Sequence, residues 1–225
     1  MRLALHARGC GRGRFGGIVN GTGGAVESFY SLIDDLASCP PEERAARERR
    51  IREAFEVERA VLALDMSEFS LSVRRNGILA HLCQIRRAQN LAIPLIRERG
   101  GEVLKCEADN ILAVFERPRQ AVEAAVAIND AIAAARSDPA AGPALTVGIG
   151  IDFGRLLLIP GRDAFGDPVN VAHKLGEDIA RASEILVTDA VRAGIGDPGA
   201  LRTEEQLLSI SGLQLRAHRV LHGPS

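Results

Sequence analysis

Residues 100–115 of the chain read GGEVLKCEADNILAVF, and this stretch decides the fold. The apolar run at 103–106 predicts a buried strand, and the β-branched and aromatic run at 111–115 predicts a second strand. Residues 107–110 between the two runs are turn formers. The stretch therefore predicts a β-hairpin with Asp109 at its tip.

The same stretch also predicts what precedes the hairpin and what its tip carries. Gly100 and Gly101 predict the end of a helix, because glycine readily adopts the left-handed conformation found after a helix C-terminus. Lys105 falls at the end of the first strand, close to the tip. A carboxylate on a rigid tip is able to ligate a metal, but aspartate is also common in surface turns. Taken alone, the hairpin favours an ordinary turn at Asp109.

The composition is that of a soluble globular protein. The 225 residues are 46% hydrophobic and 25% charged, with a net charge of −1, which suits one domain with an extension. The lack of a basic excess argues against a nucleic-acid binder, and no apolar run approaches the length of about 20 residues that spans a bilayer. The four cysteines follow no metal-binding pattern and predict free thiols, which are typical of a cytoplasmic protein. Together these features predict a cytoplasmic protein without a nucleic-acid or membrane partner.

The N-terminal part divides into two segments. Residues 1–25 are rich in glycine and arginine and contain no acid, which predicts a flexible tail or an over-long gene start; a transit peptide would be richer in serine. A GxGxxG match at 11–16 follows no strand, so it does not indicate a dinucleotide-binding loop. Residues 26–58 predict a helical extension: an amphipathic helix at 26–37, then a polar helix from Pro41. The thin apolar seam of the second helix suits either a solvated helix or a dimerising, signal-transmitting one.

The rest of the chain predicts alternating strands and helices. A buried strand at 59–66 ends on Asp65, and a carboxylate there is costly unless it is paired or bound to a metal. The further predicted elements are a helix at 77–99, the hairpin, a helix at 118–136, strands at 145–151 and 156–159 with a turn at 152–155, a glycine-rich loop at 161–168, a helix at 168–181, a strand at 185–188, and strands near 206–210 and 214–221. Their order predicts an α/β sandwich with a ferredoxin-like βαββαβ core and extra C-terminal strands.

Four segments in this order resemble one family. Residues 58–221 resemble the catalytic domain of class III nucleotide cyclases, the adenylate and guanylate cyclases, so we expect residues 59–222 to form that domain. The matching segments are LALDMSEFS at 62–70, the hairpin at 100–115, VGIGI at 147–151 and DAFGDPVNVAHKL at 163–175. The hairpin excludes the related diguanylate cyclases, because its Gly-Gly-Glu precedes a strand and does not form the tip.

The resemblance implies a metal site. Asp65, Asp109 and the backbone carbonyl of Met66 would hold two Mg²⁺ or Mn²⁺ ions, one acidifying the ribose 3′-hydroxyl and one neutralising the triphosphate. Backbone N–H groups between Ser67 and Ser70, including those of Phe69 and Ser70, would cradle the phosphates.

The resemblance also implies a head-to-tail homodimer in which the second protomer completes each site. That protomer would bring Lys105 and Asp163 to the base, Asn170 to the ribose and Lys174 to the phosphate. Asn170, Lys174 and Glu177 are spaced to share one helix face. Adenine offers an acceptor at N1 and a donor at N6, which match a lysine and an aspartate, whereas guanine would prefer an acceptor at the lysine position.

The sequence therefore predicts an adenylate cyclase that converts ATP to cyclic AMP and pyrophosphate. The alternatives are a degenerate nucleotide-binding or regulatory domain without turnover, and a cyclase for GTP or a pyrimidine nucleotide. Several residues depart from the family pattern: Lys174 replaces an arginine, which predicts slower turnover, while Glu68 and Ala108 each replace a glycine. No sensor is recognisable upstream, so a regulatory chain is one option for control. His173 is predicted to be a bystander.

Overall fold

The structure is a computed structural model that describes residues 22–66, 77–136, 145–196, 201–210 and 213–222. Its elements follow the predicted order up to residue 136, while a short strand lies within the predicted loop at 161–168 and a helix that was not predicted lies at Asp189–Ile195. In chain order they are α1 (Thr22–Ser38), α2 (Pro41–Phe55), β1 (Glu56–Met66), α3 (Ile78–Glu98), β2 (Glu102–Glu107), β3 (Asn110–Phe115), α4 (Pro118–Arg136), β4 (Val147–Ile159), β5 (Asp163–Phe165), α5 (Asp167–His173), β6 (Ile185–Thr188), α6 (Asp189–Ile195), β7 (Thr203–Ile210) and β8 (Leu213–Val220). Helix α5 continues directly into a π-helix, Lys174–Ile179.

The strands form one sheet with the order β2-β3-β1-β4-β6-β8-β7, and β5 pairs with β4 beside this path. The first four strands are antiparallel to their neighbours, and their order 2-3-1-4 is that of a ferredoxin-like βαββαβ unit. Strand β6 joins β4 in parallel, and the β7–β8 hairpin extends the sheet. The predicted fold class, with its extra C-terminal strands, is confirmed.

Strand β1 is central because both of its faces are buried. Leu62 and Leu64 pack into the larger core under α3 and α4. Val61 and Ala63 pack into a second cluster on the opposite face, which includes Ala172 of α5. Residues 60–64 are at most 1% exposed, and each large side chain buried in this way contributes about 1.5–3 kcal/mol. This double burial explains why the strand reads as a continuous apolar run.

The predicted hairpin is confirmed. Glu107 pairs with Asn110 across a two-residue turn, so Asp109 lies at the tip. The predicted helix end before the hairpin is also confirmed: Gly100 has φ +76°, and the Gly101 N–H donates to the Ile96 carbonyl at 2.9 Å. This hydrogen bond satisfies one of the carbonyl groups that have no partner within the helix at the end of α3.

The prediction of a second hairpin at 145–159 is wrong. Residues 147–159 form the single strand β4, and 152–155, predicted as its turn, lie inside it. The reason is that β1 pairs with β4 along 11 residues, from Glu56↔Leu157 to Met66↔Val147. Asp152 is accommodated in the strand because its Oδ1 accepts a hydrogen bond of 2.5 Å from the Thr188 hydroxyl.

The N-terminal helices pack on the sheet. The predicted polar helix ends at Phe55, three residues earlier than expected, because β1 begins at Glu56. Phe29 of α1 and Ile51 and Phe55 of α2 form a small buried cluster with Ile159 of β4. The apolar seam of α2 is therefore covered within the chain, while its other faces are exposed. None of the helices in the described ranges is long and apolar enough to cross a membrane.

Candidate active site

Two carboxylates lie at one end of the central strands. Leu64 of β1 pairs with Ile111 of β3. Asp65, which follows Leu64, and Asp109, at the tip of the β2–β3 hairpin, consequently lie at the same end of this ladder. The pKa of Asp65 is raised to about 7, first by burial of its carboxyl group, then by the charge of Asp109 and then by that of Glu177. The predicted metal ligands are therefore electrostatic neighbours although they lie 44 positions apart in the sequence.

The two carboxylates suit a hard divalent cation. Burial and neighbouring acids disfavour the charge on Asp65, so a cation between the two acids would relieve their repulsion. Within the described ranges, no group of three or more histidine, cysteine or acidic side chains has metal-binding geometry. Such a cation would need further oxygen ligands, as Mg²⁺ commonly takes from backbone carbonyls and substrate phosphates. Met66, the predicted carbonyl ligand, is the last residue of β1.

The predicted base-contacting residues also meet. Lys105 Nζ of β2 lies 3.0 Å from Asp163 Oδ1 and 3.1 Å from Oδ2 of β5, across 58 positions of sequence. Asp163 Oδ1 also accepts a hydrogen bond of 2.8 Å from the Ala164 N–H. Both side chains remain partly exposed. A cationic donor and an anionic acceptor thus stand side by side and are accessible to a ligand.

Helix α5 and the π-helix that continues it carry the predicted ribose and phosphate contacts. Asn170 and Lys174 line a cavity of about 470 Å³ together with Lys105 and Asn110. Lys174 Nζ is paired with Asp178 Oδ2 at 2.5 Å, one turn further along the helix. The hydrogen bond and the charge of Asp178 raise the pKa of Lys174, which favours the protonated, positively charged side chain. Phe69 and Ser70, the predicted phosphate cradle, lie outside the described residues.

Small residues allow the helix to approach the sheet closely. A Cβ at Gly150 of β4 would lie 2.2 Å from the Ala172 carbonyl oxygen, and one at Gly176 would lie 2.6 Å from the Ala63 oxygen. Both distances are too short for any side chain. The backbone of α5 and of the π-helix therefore rests almost directly on β1 and β4, which sets the position of Asn170 and Lys174 relative to the carboxylates.

Glu177 is a residue of the site to which the sequence analysis assigned no role. Its Oε1 accepts a hydrogen bond of 3.1 Å from Asn110 Nδ2 on the hairpin and lies 2.6 Å from His173 Nδ1 on the helix. It also contributes to the raised pKa of Asp65. His173 and Glu177 are four residues apart and therefore neighbours on the helix surface, a signal that the sequence analysis did not use, whereas the contact with Asn110 depends on the tertiary fold. His173, predicted to be a bystander, lines the cavity.

The comparisons with known proteins agree with this architecture. No family model matches the chain. Among curated proteins, "Putative adenylate cyclase 3" of Rhizobium meliloti (strain 1021) is 30% identical over 132 residues, which are 59% of this chain and 22% of that protein. The match thus spans less than a quarter of the relative's length.

Solved structures match over most of the chain. The adenylate/guanylate cyclase/hydrolase from Silicibacter pomeroyi is 28% identical, with a TM-score of 0.65 and coverage of 75% of this chain and 98% of that one. The catalytic core of a rhodopsin-guanylyl cyclase with converted specificity, in complex with ATPαS, is 21% identical, with a TM-score of 0.64 and coverage of 74% and 96%. The resemblance inferred from the sequence is confirmed: this chain has the fold of a class III adenylate/guanylate cyclase catalytic domain.

Proposed function

We propose that this domain is an adenylate cyclase that converts ATP to 3′,5′-cyclic AMP and pyrophosphate at sites shared across a head-to-tail homodimer. The observation that carries the proposal is the Lys105–Asp163 pair beside the cavity lined by Asn170 and Lys174. The Lys105 ammonium would donate to adenine N1, and the Asp163 carboxylate would accept from the N6 amino group. Guanine offers O6 and N1–H at these positions, so its N1–H would face a lysine that has no acceptor.

The remaining side chains would orient the sugar and the phosphates. Asn170 would hold the ribose, and Lys174 would leave Asp178 and stabilise charge on the α-phosphate as its bond to the leaving oxygen breaks. Asp65 and Asp109, with the Met66 carbonyl, would hold two Mg²⁺ or Mn²⁺ ions, whose charge would acidify the 3′-hydroxyl and offset that of the triphosphate. The 3′-hydroxyl proton would pass to solvent water, the 3′-oxygen would bond to the α-phosphorus, and the bond from the α-phosphorus to the bridging oxygen would break, so that pyrophosphate departs with that oxygen.

We expect slow turnover, because Lys174 stands where the family usually has an arginine. A lysine ammonium supplies the charge but cannot bind a phosphate through two parallel hydrogen bonds. In this structure it is also held by Asp178, and that contact must break before it reaches a phosphate. We expect Lys174→Arg to raise kcat, and Lys174→Ala to lower it by about 100-fold, as the loss of one transition-state donor commonly does.

A product assay tests the proposal. Purified protein is incubated with Mn²⁺ and, in separate reactions, ATP, GTP, CTP or UTP, and the products are identified by mass spectrometry. We expect cyclic AMP to predominate. If ATP binds in calorimetry but no nucleotide gives a cyclic product, the domain binds nucleotide without turnover. Cyclic GMP or a cyclic pyrimidine nucleotide as the main product would instead contradict the base assignment.

Single substitutions assign the roles. Asp65→Ala and Asp109→Ala should each abolish turnover and weaken Mn²⁺ binding measured by calorimetry in the presence of a non-cleavable ATP analogue. Lys105→Glu should lower the ratio of ATP to GTP use. Glu53→Ala, an exposed acid on α2, serves as the control and should change none of these quantities. An unchanged nucleotide ratio in Lys105→Glu would count against base recognition by this lysine.

A further inference from the structure

The base-contacting strand β5 is the least supported strand of the sheet. It has three residues, and among the described residues β4 is its only partner strand, through Leu157↔Phe165, Leu158↔Ala164 and Ile159↔Asp163. An edge strand this short gains few ladder hydrogen bonds. Its position therefore depends on side chains that hold it from outside the sheet.

The beginning of β5 is held by strand β2. Glu102 Oε1 accepts a hydrogen bond from the Gly161 N–H in the loop before β5, and Lys105 pairs with Asp163 itself. On the inner face, Ala164 is buried against the cluster between the sheet and α5. The Lys105–Asp163 contact would be rearranged when a base inserts between the two side chains, so a second support is needed during binding.

The end of β5 is held by the N-terminal helix. The ring of Phe165 stacks on Phe29 of α1, with centroids 5.7 Å apart and planes inclined by 4°. Phe29 is itself 4% exposed and contacts Phe55 edge-on at 5.0 Å, at the junction between α2 and β1. Phe165 would otherwise be a largely exposed aromatic side chain; 40% of its surface remains exposed even in the stack. The stack thus links the base-contacting strand to a buried anchor at the start of the central strand.

We propose that Phe29, through its stack on Phe165, is a positioning residue for base recognition. It keeps β5 in register on β4, so that Asp163 stays beside Lys105 and presents its carboxylate to the base. This inference rests on the proposed function only in assigning Asp163 to the base. It gives the N-terminal helices a defined role, because they set the geometry of the base site without touching the nucleotide.

Substitutions at Phe165 test the stack with a matched pair. Phe165→Ala removes the ring, whereas Phe165→Tyr keeps it, and its partial exposure lets the added hydroxyl reach water. We expect Phe165→Ala to raise the KM for ATP about tenfold with kcat within about twofold, the pattern of a binding contribution lost equally from the ground state and the transition state. It should also narrow the preference for ATP over GTP. Phe165→Tyr should keep the wild-type KM for ATP and the wild-type preference for ATP over GTP.

Substitutions in α1 separate the stack from general docking of the helix. Phe29→Leu keeps an apolar side chain in the cluster but removes the ring, and should reproduce the effects of Phe165→Ala. Leu36→Ala weakens the same cluster at a position about two helical turns from Phe29, leaves both stacked rings in the chain, and is the control. Its KM and nucleotide preference should match those of the wild type. An equal change in Leu36→Ala would overturn the assignment to the stack.

Two readouts do not depend on turnover. Hydrogen exchange of a peptide that covers residues 163–165 should be faster in Phe165→Ala, while exchange at 185–188 in β6 stays unchanged. The Kd of a non-cleavable ATP analogue, measured by calorimetry, should rise about tenfold in parallel. Faster exchange with an unchanged Kd and KM, or no change in exchange, overturns the inference. If the wild-type protein binds the analogue but forms no cyclic product, the proposed function fails while the positioning role is still decided by the Kd.

Discussion

Ala108 is the residue at which this chain departs most clearly from the backbone preferences of its turn. Its φ is +49°, in the left-handed region that glycine adopts without cost. It precedes Asp109 at the tip of the β2–β3 hairpin. An alanine in this conformation costs about 1 kcal/mol relative to glycine. The strain is therefore located beside a proposed metal ligand.

We predict that Ala108→Gly stabilises the protein. The stability gained by relieving the strain should exceed the stability lost because glycine makes the unfolded chain more flexible. The net gain in unfolding free energy should be about 0.5–1 kcal/mol. Urea denaturation followed by circular dichroism measures it. Ala133→Gly, at an exposed position of α4, is the control. It should lower the unfolding free energy by a similar amount, because glycine is less favourable than alanine inside a helix. Equal destabilisation by both variants would show that the turn is not strained.

Asp152 predicts a pH dependence of stability. It is a mostly buried carboxyl group inside β4, and burial raises its pKa, while a hydrogen bond from the Thr188 hydroxyl opposes the shift. Because the folded protein binds this proton more tightly than the unfolded chain does, the group lowers stability as pH rises above its unfolded pKa. Asp152→Asn keeps the acceptor for Thr188 and removes the charge.

We therefore predict that Asp152→Asn gains stability relative to the wild type as pH rises from about 4 to 7. The measurement is the difference in unfolding free energy between the two proteins, taken from urea titrations at several pH values. A difference that stays constant over this range, or one that shrinks as pH rises, would show that burial of the Asp152 charge does not control stability.

At the scale of elements, the position of the site depends on how closely α5 and its π-helical continuation approach the sheet. Gly150 faces the Ala172 carbonyl and the Gly176 N–H with no room for a Cβ. The helix supplies Asn170 and Lys174, and Glu177 connects it to Asn110 on the hairpin. Helix, hairpin and central strands consequently form one packed unit around the cavity, so a small shift of α5 moves several groups of the site together.

We predict that Gly150→Ala disrupts this unit. The added methyl group should cost about 1–3 kcal/mol of unfolding free energy through overpacking, and the displaced helix should lower cyclic AMP formation. Gly154→Ala in the same strand is the matched control, because within the part of the chain that the structure describes its Cβ would meet a side chain, the Pro168 ring at 3.0 Å, and no backbone atom. Compared with Gly150→Ala, Gly154→Ala should lose clearly less unfolding free energy, measured by urea denaturation, and clearly less cyclic AMP formation. Equal losses in the two variants would contradict the close-approach argument.

At the scale of the whole molecule, each complete site would combine residues of two copies under the proposed head-to-tail arrangement. The carboxylates Asp65 and Asp109 would come from one protomer, and Lys105, Asp163, Asn170 and Lys174 from its partner. A dimer with two-fold symmetry would then hold two equivalent sites. A substitution in either set of residues would inactivate both sites of a homodimer but only one site of a suitable mixed dimer.

We predict that Asp65→Ala and Lys174→Ala complement each other. Each protein alone should be nearly inactive, whereas an equimolar mixture should recover about one quarter of wild-type activity, since half of the dimers are mixed and each mixed dimer holds one intact site. Cyclic AMP formation measures the recovery. A mixture of Asp65→Ala with Asp109→Ala is the control and should remain inactive. Recovery in the control, or none in the test mixture, would contradict shared sites.

Local spacing and turn chemistry were sufficient to predict much of this fold. The hairpin, the glycine pair that ends α3, helix α4 and strand β6 lie where the sequence indicated, because apolar periodicity, glycine and proline act over a few residues. The order of these elements and the four family segments identified the βαββαβ core. The sequence also singled out Asp65, since an acid at the end of a buried strand needs a compensating partner. Asp109 was assigned to the metal site only through the family resemblance, because aspartate is also common in surface turns.

Contacts between distant segments could not be predicted in this way. Residues 152–155 look like a turn, yet they lie inside β4 because the ladder with β1 outweighs their local preference. The Glu177–Asn110 bond and the Phe29–Phe165 stack join residues 67 and 136 positions apart, which no periodicity relates. Such contacts depend on where the packed sheet and helices bring side chains together, so they arise only once the chain has folded.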